Sequence, residues 1–125
     1  MELRKYVVDK ISRDDVLFLG IFEKSRELHI GNIKYEPVNS ELGYAIMGIL
    51  IGDADYRGKG VASEVLLYSI QWLNDNEGIH KVFLGVDVEN KNAIRAYEKS
   101  GFIYLKGNLP EYLNPDIMYM VKNFS

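Results

Sequence analysis

Cysteine is absent from this chain of 125 residues, and proline occurs only three times. Without cysteine, the protein has no disulfides, no thiolate zinc site and no cysteine nucleophile. No apolar run is long enough to span a bilayer, and residues 1–9 lack the apolar core and the cleavage site of a signal peptide. We therefore expect a cytoplasmic protein with no membrane partner.

Charge and length limit the possibilities further. The formal net charge is -3 at pH 7, whereas nonspecific binding to nucleic acid is favoured by a basic surface, so no nucleic-acid partner is expected. A chain of this length is expected to form one domain, here residues 1–125. His29 and His80 have no ligand-like spacing and no accompanying carboxylate cluster, so no metal site is expected.

The spacing of apolar residues predicts a mixed α/β (α+β) domain, because three-and-four spacing indicates helices and alternation indicates strands. Runs of neighbouring strands beside single crossovers favour a mixed, mostly antiparallel central sheet with flanking helices over a doubly wound dinucleotide fold. A turn is expected over residues 36–40, and Gly48 is expected to mark a bulge. The predicted helices cover residues 2–11, 60–73 and 90–100, and the predicted strands cover 16–22, 28–35, 42–51, 80–88, 102–105 and 117–121.

A basic, glycine-rich turn joins the third predicted strand to the second predicted helix. Gly58 and Gly60 leave the backbone N–H groups of a helix start accessible, and Arg57 and Lys59 add positive charge. This arrangement suits a phosphate or a pyrophosphate. A dinucleotide fingerprint would need a third glycine, and the spacing excludes a Walker loop. The remaining alternative is an ordinary strand-to-helix turn with solvated side chains.

A second polar turn precedes the third predicted helix. Asn90 stands where it can cap that helix or bind a ligand amide. Tyr97 follows seven residues later, close to two helical turns, so both side chains can point the same way. Capping alone for Asn90 and core packing alone for Tyr97 are the alternatives. Gly101 lies where a C-terminal helix glycine is expected.

Both turns resemble motifs of one known superfamily. Residues 57–62, Arg-Gly-Lys-Gly-Val-Ala, resemble the acetyl-coenzyme A pyrophosphate loop of the GNAT superfamily of N-acetyltransferases. Residues 90–102 resemble its N-x-x-A-I-x-x-Y-x-K-x-G-F segment, and residues 30–33 and 41–44 are most similar to the branch that acetylates ribosomal-protein N-termini and spermidine. The resemblance covers about residues 16–121 and implies the acyl-CoA N-acyltransferase (GNAT) fold, with an N-terminus shorter than is usual in that branch.

The resemblance implies an enzyme that moves an acetyl group from acetyl-coenzyme A (acetyl-CoA), the donor substrate, directly to a primary amine. Tyr97 would protonate the leaving thiolate, and Glu41 is the candidate base for the amine. The alternative for Glu41 is a solvated turn residue. The residues that would bind the cofactor are Ile49, Leu50, Ile51, Arg57, Gly58, Lys59, Gly60, Val61, Ala62, Asn90 and Tyr97.

The implied acceptor is a small-molecule amine or the N-terminal amine of a protein, with Tyr112 and Asp116 bordering its site. Because a short N-terminus would leave one wall of that site incomplete, a homodimer is plausible. Two alternatives stay open at this point. One is a GNAT-like module that binds coenzyme A without catalytic activity, and the other is a structural or interaction domain that binds no cofactor.

Overall fold

The computed structural model describes residues 6–13, 15–23, 28–51 and 61–124. Within these residues the chain forms seven strands and two helices. The strands are β1 (Tyr6–Arg13), β2 (Val16–Glu23), β3 (Leu28–Asn39), β4 (Tyr44–Ile51), β5 (Lys81–Gly85), β6 (Ile103–Tyr104) and β7 (Tyr119–Asn123), and the helices are α1 (Val61–Glu77) and α2 (Lys91–Lys99).

The seven strands belong to one sheet with the order β1-β2-β3-β4-β5-β7-β6. All neighbouring strands are antiparallel except β4 and β5, which are parallel. A parallel pair requires a crossover connection, and α1 lies in the connection between these two strands. The sequence prediction of a mixed, mostly antiparallel sheet with flanking helices is therefore confirmed.

The two helices pack on the same face of the sheet, because the apolar residues of both belong to one core shared with the strands. Burying each large apolar side chain contributes about 1.5–3 kcal/mol, so this shared core fixes both helices against the strands. The helical contribution is Val65, Leu66, Ile70, Leu73 and Ile94, and the strand contribution is Leu17, Leu19, Ile21, Ile33, Tyr35, Val38, Ala45, Met47, Val82, Leu84 and Met120.

The opposite face of the sheet carries a smaller, aromatic core. Side chains alternate between the two faces along a strand, so Tyr44 and Phe83 face away from the helices, whereas their neighbours Ala45 and Val82 face toward them. The connection between β6 and β7 contributes Leu113 to this second core. That connection therefore covers part of the second face, whereas the helices cover the first.

The predicted helix over residues 2–11 is wrong where the structure describes it. Residues Tyr6–Arg13 form β1, which pairs with β2 along its whole length, from Tyr6↔Glu23 to Arg13↔Val16. A short apolar pattern does not distinguish a helix from a strand, and the segment contains β-branched Val7, Val8 and Ile11, which favour strands. Pairing with β2 also provides partners for its backbone groups.

A bulge is present, but it lies on β3 rather than at Gly48. Gly48 pairs in regular register with Lys34, whereas the register shifts between Tyr35 and Val38. Two residues of β3, Glu36 and Pro37, thus oppose a single residue of β4. Proline cannot donate a ladder hydrogen bond. The regular pairing is therefore interrupted at Pro37, and the bulge forms there. The predicted turn over residues 36–40 is wrong for residues 36–39, which continue β3.

The ends of other elements also differ from the predictions. Helix α1 continues four residues beyond the predicted end, to Glu77, and Gly78 follows with a φ of 66°. Strand β5 is shorter than predicted and ends at Gly85. Neither helix in the described residues is long and apolar enough to cross a membrane.

Candidate active site

Strands β4 and β5 separate part of the way along their length. Their parallel pairing runs from Tyr44↔Lys81 to Met47↔Leu84 and ends there. Beyond Met47, β4 continues beside β3, whereas β5 continues beside β7. In the parts of the chain that the structure describes, no strand pairs with the β5-facing edge of β4 from Gly48 onward. We refer to the space between residues 48–51 and the end of β5 as the opening.

Both described helices begin on the side of the opening. Helix α1 follows the carboxyl end of β4 in the chain, and α2 follows the carboxyl end of β5, and these two ends lie at the same edge of the sheet. The first turn of a helix has backbone N–H groups without intrahelical partners and carries the positive end of the helix dipole. The edge of the sheet at the opening is therefore suited to an anionic ligand.

Four of the predicted cofactor residues, Arg57, Gly58, Lys59 and Gly60, lie outside the described residues. The structure does describe the backbone on either side of them. Ile49, Leu50 and Ile51 are the last residues of β4, and Val61 and Ala62 are the first residues of α1. The predicted strand and the predicted helix start on either side of this turn are thus confirmed.

Asn90 caps α2, as its place in the sequence predicted. Its side-chain Oδ1 accepts a hydrogen bond from the backbone N–H of Ala93 at 3.2 Å. The turn before it is held by Asp87, whose carboxylate accepts from the N–H of Glu89 at 2.9 Å. The cap uses one lone pair of Oδ1, and the Nδ2 amide group is the donor that Asn90 could offer to a cofactor.

Tyr97 lies two turns further along α2, where it is half-buried. Its ring packs edge-on against Phe102, with a centroid distance of 6.1 Å and an interplanar angle of 60°. Desolvation by burial raises the pKa of the Tyr97 hydroxyl above its usual value of 10.0. The hydroxyl therefore keeps its proton throughout the physiological pH range, which is the state that a proton donor requires.

The end of α2 next to Tyr97 is held by a contact that the sequence did not reveal. The Lys122 ammonium on β7 donates to the Ser100 carbonyl oxygen at 2.7 Å. A cation at a helix C-terminus is stabilising. Gly101, with a φ of 95°, ends the helix as predicted, and the N–H of Phe102 donates to the Tyr97 carbonyl oxygen at 3.0 Å. These contacts fix the last turn of α2 relative to the sheet.

Glu41 lies away from the opening. It is exposed in the turn before β4, at the end where the β4–β5 pairing begins with Tyr44↔Lys81. At about 3.3 Å per residue, Tyr44 and Gly48 are roughly 13 Å apart, and Glu41 precedes Tyr44. The structure thus does not bring Glu41 into contact with the opening.

Tyr112, which the resemblance placed beside the acceptor, belongs to an aromatic group on the second face of the sheet. Its ring stacks on Tyr44 with a centroid distance of 3.8 Å and an interplanar angle of 9°, and it meets Phe83 edge-on at 6.0 Å. Burial and the neighbouring Tyr44 raise the pKa of Tyr112. Asp116 is exposed in the same connection between β6 and β7.

Comparison with known families gives a match over most of the chain. A family model described as "Acetyltransferase (GNAT) domain" matches residues 2–103. Among curated proteins, the chain is 25% identical over 95 residues to "Probable N-acetyltransferase YjcK" of Bacillus subtilis, covering 75% of this chain and 52% of that protein. It is 38% identical over 72 residues to "N-alpha-acetyltransferase MAK3" of Arabidopsis thaliana, covering 58% of this chain and 36% of that protein.

Solved structures support the fold. A spermidine N-acetyltransferase from Vibrio cholerae, solved in complex with CoA and spermine, superimposes with a TM-score of 0.73 at 24% sequence identity. The superposition covers 89% of this chain and 67% of that one. The chain spans between about a third and two thirds of the length of the curated relatives that it matches.

Proposed function

This chain belongs to the GNAT acetyltransferase family, and we propose that it transfers the acetyl group of acetyl-CoA directly to a primary amine. The observation that carries this proposal is the opening between β4 and β5, with a helix beginning on each side of it. An opening of this kind offers strand-edge hydrogen bonds and two helix N-termini within one site, which suits an extended ligand with an anionic end.

The cofactor would occupy the opening as follows. Its pyrophosphate would bind to the turn of residues 57–62, where backbone N–H groups and the charges of Arg57 and Lys59 act together. Its pantetheine amides would pair with the edge of β4 at Ile49, Leu50 and Ile51, in the manner of an added strand. A backbone N–H at this edge would polarise the thioester carbonyl, and the Asn90 amide would hold the pantetheine or the acyl end.

The reaction needs one attack and three proton transfers. The neutral amine nitrogen attacks the thioester carbonyl carbon, forming the C–N bond, and the C–S bond breaks. The Tyr97 hydroxyl gives its proton to the departing thiolate, and the nitrogen releases its surplus proton to solvent, from which Tyr97 is reprotonated. The role of Glu41 as the general base stays a prediction, and its position at the far end of β4 requires water molecules between it and the amine.

The acceptor is proposed only as a primary amine. The relatives named above include proteins named for protein N-termini and for spermidine, and both are amines. The net charge of -3 favours the approach of a cationic acceptor. A homodimer and a cytoplasmic location also stay predictions.

Two measurements on the purified chain test the proposal. Calorimetry with acetyl-CoA and with free CoA measures cofactor binding, and release of the CoA thiol measures transfer to spermidine, glucosamine, kanamycin or a tetrapeptide with a free N-terminus. We expect binding of both cofactor forms and thiol release that depends on an amine. Binding without transfer to any of these amines would favour the non-catalytic module, and no binding at all would contradict both.

A further inference from the structure

Lys122 joins β7 to the end of α2. Met120 on the same strand belongs to the core beneath the helices, and side chains two residues apart on a strand share a face, so Lys122 also faces the helices. Lys122 is half-buried, and its ammonium donates to the carbonyl oxygen of buried Ser100 at 2.7 Å. A charged hydrogen bond that is partly shielded from water is stronger than one at the surface.

Gly101 leaves room for the Lys122 side chain to reach this carbonyl. A Cβ atom added at Gly101 would lie 3.3 Å from both Cε and Nζ of Lys122, which is closer than an ordinary van der Waals contact. Gly101 also has a φ of 95°, a conformation that glycine adopts readily at the end of a helix. The glycine therefore both ends α2 and keeps the path of Lys122 clear.

Few side chains pack α2 against the sheet. Within Lys91–Lys99, Ile94 is the buried residue, whereas Tyr97 in the last turn is half-buried. Because the stabilisation by packing scales with the apolar area removed from water, a helix that buries so little can shift along its axis at low cost. Phe102, which is buried, anchors the chain after the helix, and Lys122 anchors the helix end itself.

The carbonyl that Lys122 contacts is close to Tyr97 along the helix. The Ser100 N–H donates to the Tyr97 carbonyl oxygen at 3.0 Å, and the three residues between them span roughly 4.5 Å of helix. A displacement of Ser100 relative to β7 would therefore carry the backbone of Tyr97 with it. The proposed site for pantetheine belongs to the sheet, whereas Tyr97 belongs to the helix, so the distance from the hydroxyl to the departing sulfur depends on where α2 lies on the sheet.

We propose that Lys122 is a positioning residue, which holds the Tyr97 hydroxyl where the thiolate of the departing CoA forms. This inference rests on the function proposed above. In that proton transfer the O–H bond of Tyr97 breaks and the S–H bond of CoA forms, and Lys122 takes part in neither. It acts through geometry, because a proton donor must lie within hydrogen-bond reach of the atom that it protonates.

Replacing Lys122 tests the proposal, with whichever of spermidine, glucosamine, kanamycin and the tetrapeptide is turned over fastest. Lys122→Met removes the ammonium, and we expect kcat to fall about 10-fold, because a misplacement of about 1 Å can slow a reaction up to about 100-fold. The Kd of CoA in calorimetry should stay unchanged. Lys122→Arg keeps a charged donor and should recover part of the loss.

Lys81→Met is the matched control. Lys81 is half-buried on β5, the strand that pairs with β7, but it lies two residues before Phe83 of the second core and so faces away from the helices. This variant should keep the kcat of the unmodified protein. Thermal melting gives the folded fraction of each variant, and rates are expressed per folded molecule.

A double-mutant cycle with Tyr97→Phe separates positioning from a general loss of structure. If Lys122 acts through the Tyr97 hydroxyl, Lys122→Met should lower the kcat of the unmodified protein but not that of Tyr97→Phe. A merely structural role would lower both by the same factor. Lys122→Gln, whose amide nitrogen is one bond shorter than the ammonium, loses the contact with Ser100 and gives the same test where the methionine variant does not fold.

An unchanged kcat in Lys122→Met would overturn the inference, and so would an equal fall in the two backgrounds. A similar fall in Lys81→Met would also overturn it, because loss of any half-buried lysine would then suffice. Failure of the proposed function is a different result, namely no binding of CoA or no amine-dependent thiol release by the unmodified protein.

Discussion

The two ends of the β4–β5 pair differ in how many of their backbone groups are bonded. At the closed end, residues 40–44 and 80–81, the Gly43 carbonyl oxygen accepts from the N–H groups of His80 and Lys81 at 2.9 and 3.2 Å. The turn is also held by Asn39, whose backbone oxygen accepts from Gly43 N–H at 2.8 Å. At the opening, the same two strands pair with other neighbours and not with each other.

This difference shows how one pair of strands serves both stability and binding. Buried or strand-edge N–H and C=O groups require partners, and at the closed end the chain supplies them itself. At the opening, no strand in the described part of the chain pairs with the edge of β4 from Gly48 onward, so this edge can bind a ligand. Changes at the closed end should therefore alter the stability of the protein, and changes at the opening should alter its activity.

The largest effect is expected from Tyr97→Phe, at the proposed proton donor. The variant loses the hydroxyl proton but keeps the ring that packs against Phe102. We expect kcat to fall about 100-fold, with KM for acetyl-CoA and the melting temperature little changed. Tyr104→Phe, a half-buried tyrosine on β6, is the control and should keep full activity. An unchanged kcat at every pH would remove Tyr97 from the role of proton donor.

The next effect is expected from Gly43→Ala, at the closed end. Gly43 has a φ of 76°, and an added Cβ would meet the His80 ring. We expect a loss of about 1–2 kcal/mol in the free energy of unfolding, measured with urea, and no change in kcat. Gly107→Ala is the matched control, because Gly107 has a φ of 86° but open space around it, so it shows the backbone cost alone. A fall in kcat of the folded variant would contradict the assignment of stability to the closed end and of activity to the opening.

Asn90 sharpens the comparison, because one side chain would serve both stability and binding. Asn90→Ala removes the cap on α2 and should cost about 1 kcal/mol of stability. Asn90→Ser keeps a capping oxygen but has no amide group to donate to the cofactor. We expect the serine variant to recover the stability but not the affinity for CoA in calorimetry. Full recovery of both would reduce Asn90 to a helix cap.

The smallest effect concerns Tyr35, which pairs with Met47 where the two ends meet. Its hydroxyl contacts the Ser69 hydroxyl of α1 at 2.7 Å, and burial raises its pKa well above the usual 10.0. Above pH 10 the unfolded chain loses this proton whereas the folded chain keeps it, so stability falls as the pH rises. The loss attributable to Tyr35 should be about 0.8 kcal/mol at pH 10.5, with no loss below pH 9.

The measurement is urea unfolding of the unmodified protein and of Tyr35→Phe between pH 8 and 10.5. The two proteins are compared in how steeply the free energy of unfolding falls with rising pH. Their difference isolates Tyr35, because Tyr97 and Tyr112 also have raised pKa values and are present in both proteins. An equal fall of the free energy of unfolding with pH in the two proteins would show that the Tyr35 hydroxyl ionises equally in the folded and the unfolded state. Activity per folded molecule should be the same in the two proteins at pH 8.

The sequence predicted the elements whose spacing is regular and the features that depend on near neighbours. Helices α1 and α2 have apolar residues at helical spacing, and the Asn90 cap and the glycine stop at Gly101 depend only on residues within a few positions. Strand β1 was predicted as a helix because its pattern is short and its partner β2 decides the outcome. Local sequence does not contain that information.

The proximity of Glu36 to Gly48 could not be predicted from the sequence, because it depends on the register between two strands. Glu36 reaches the neighbourhood of Gly48 only because β3 pairs with β4 and bulges at Pro37. The link between Lys122 and the end of α2 likewise joins residues that are 22 positions apart. The alternation of Lys34 and Glu36 on one strand was the available signal, but two charged residues on a strand usually indicate only a solvated face.

The single parallel pair in the sheet has a kinetic consequence. Antiparallel neighbours joined by short turns can form early, whereas β4 and β5 can meet only after the intervening crossover has docked. The opening is therefore expected to be completed late in folding. In a refolding experiment with pulsed hydrogen exchange, the amides of β4 and β5 should become protected together with those of α1, and the capacity to bind CoA should appear in the same phase.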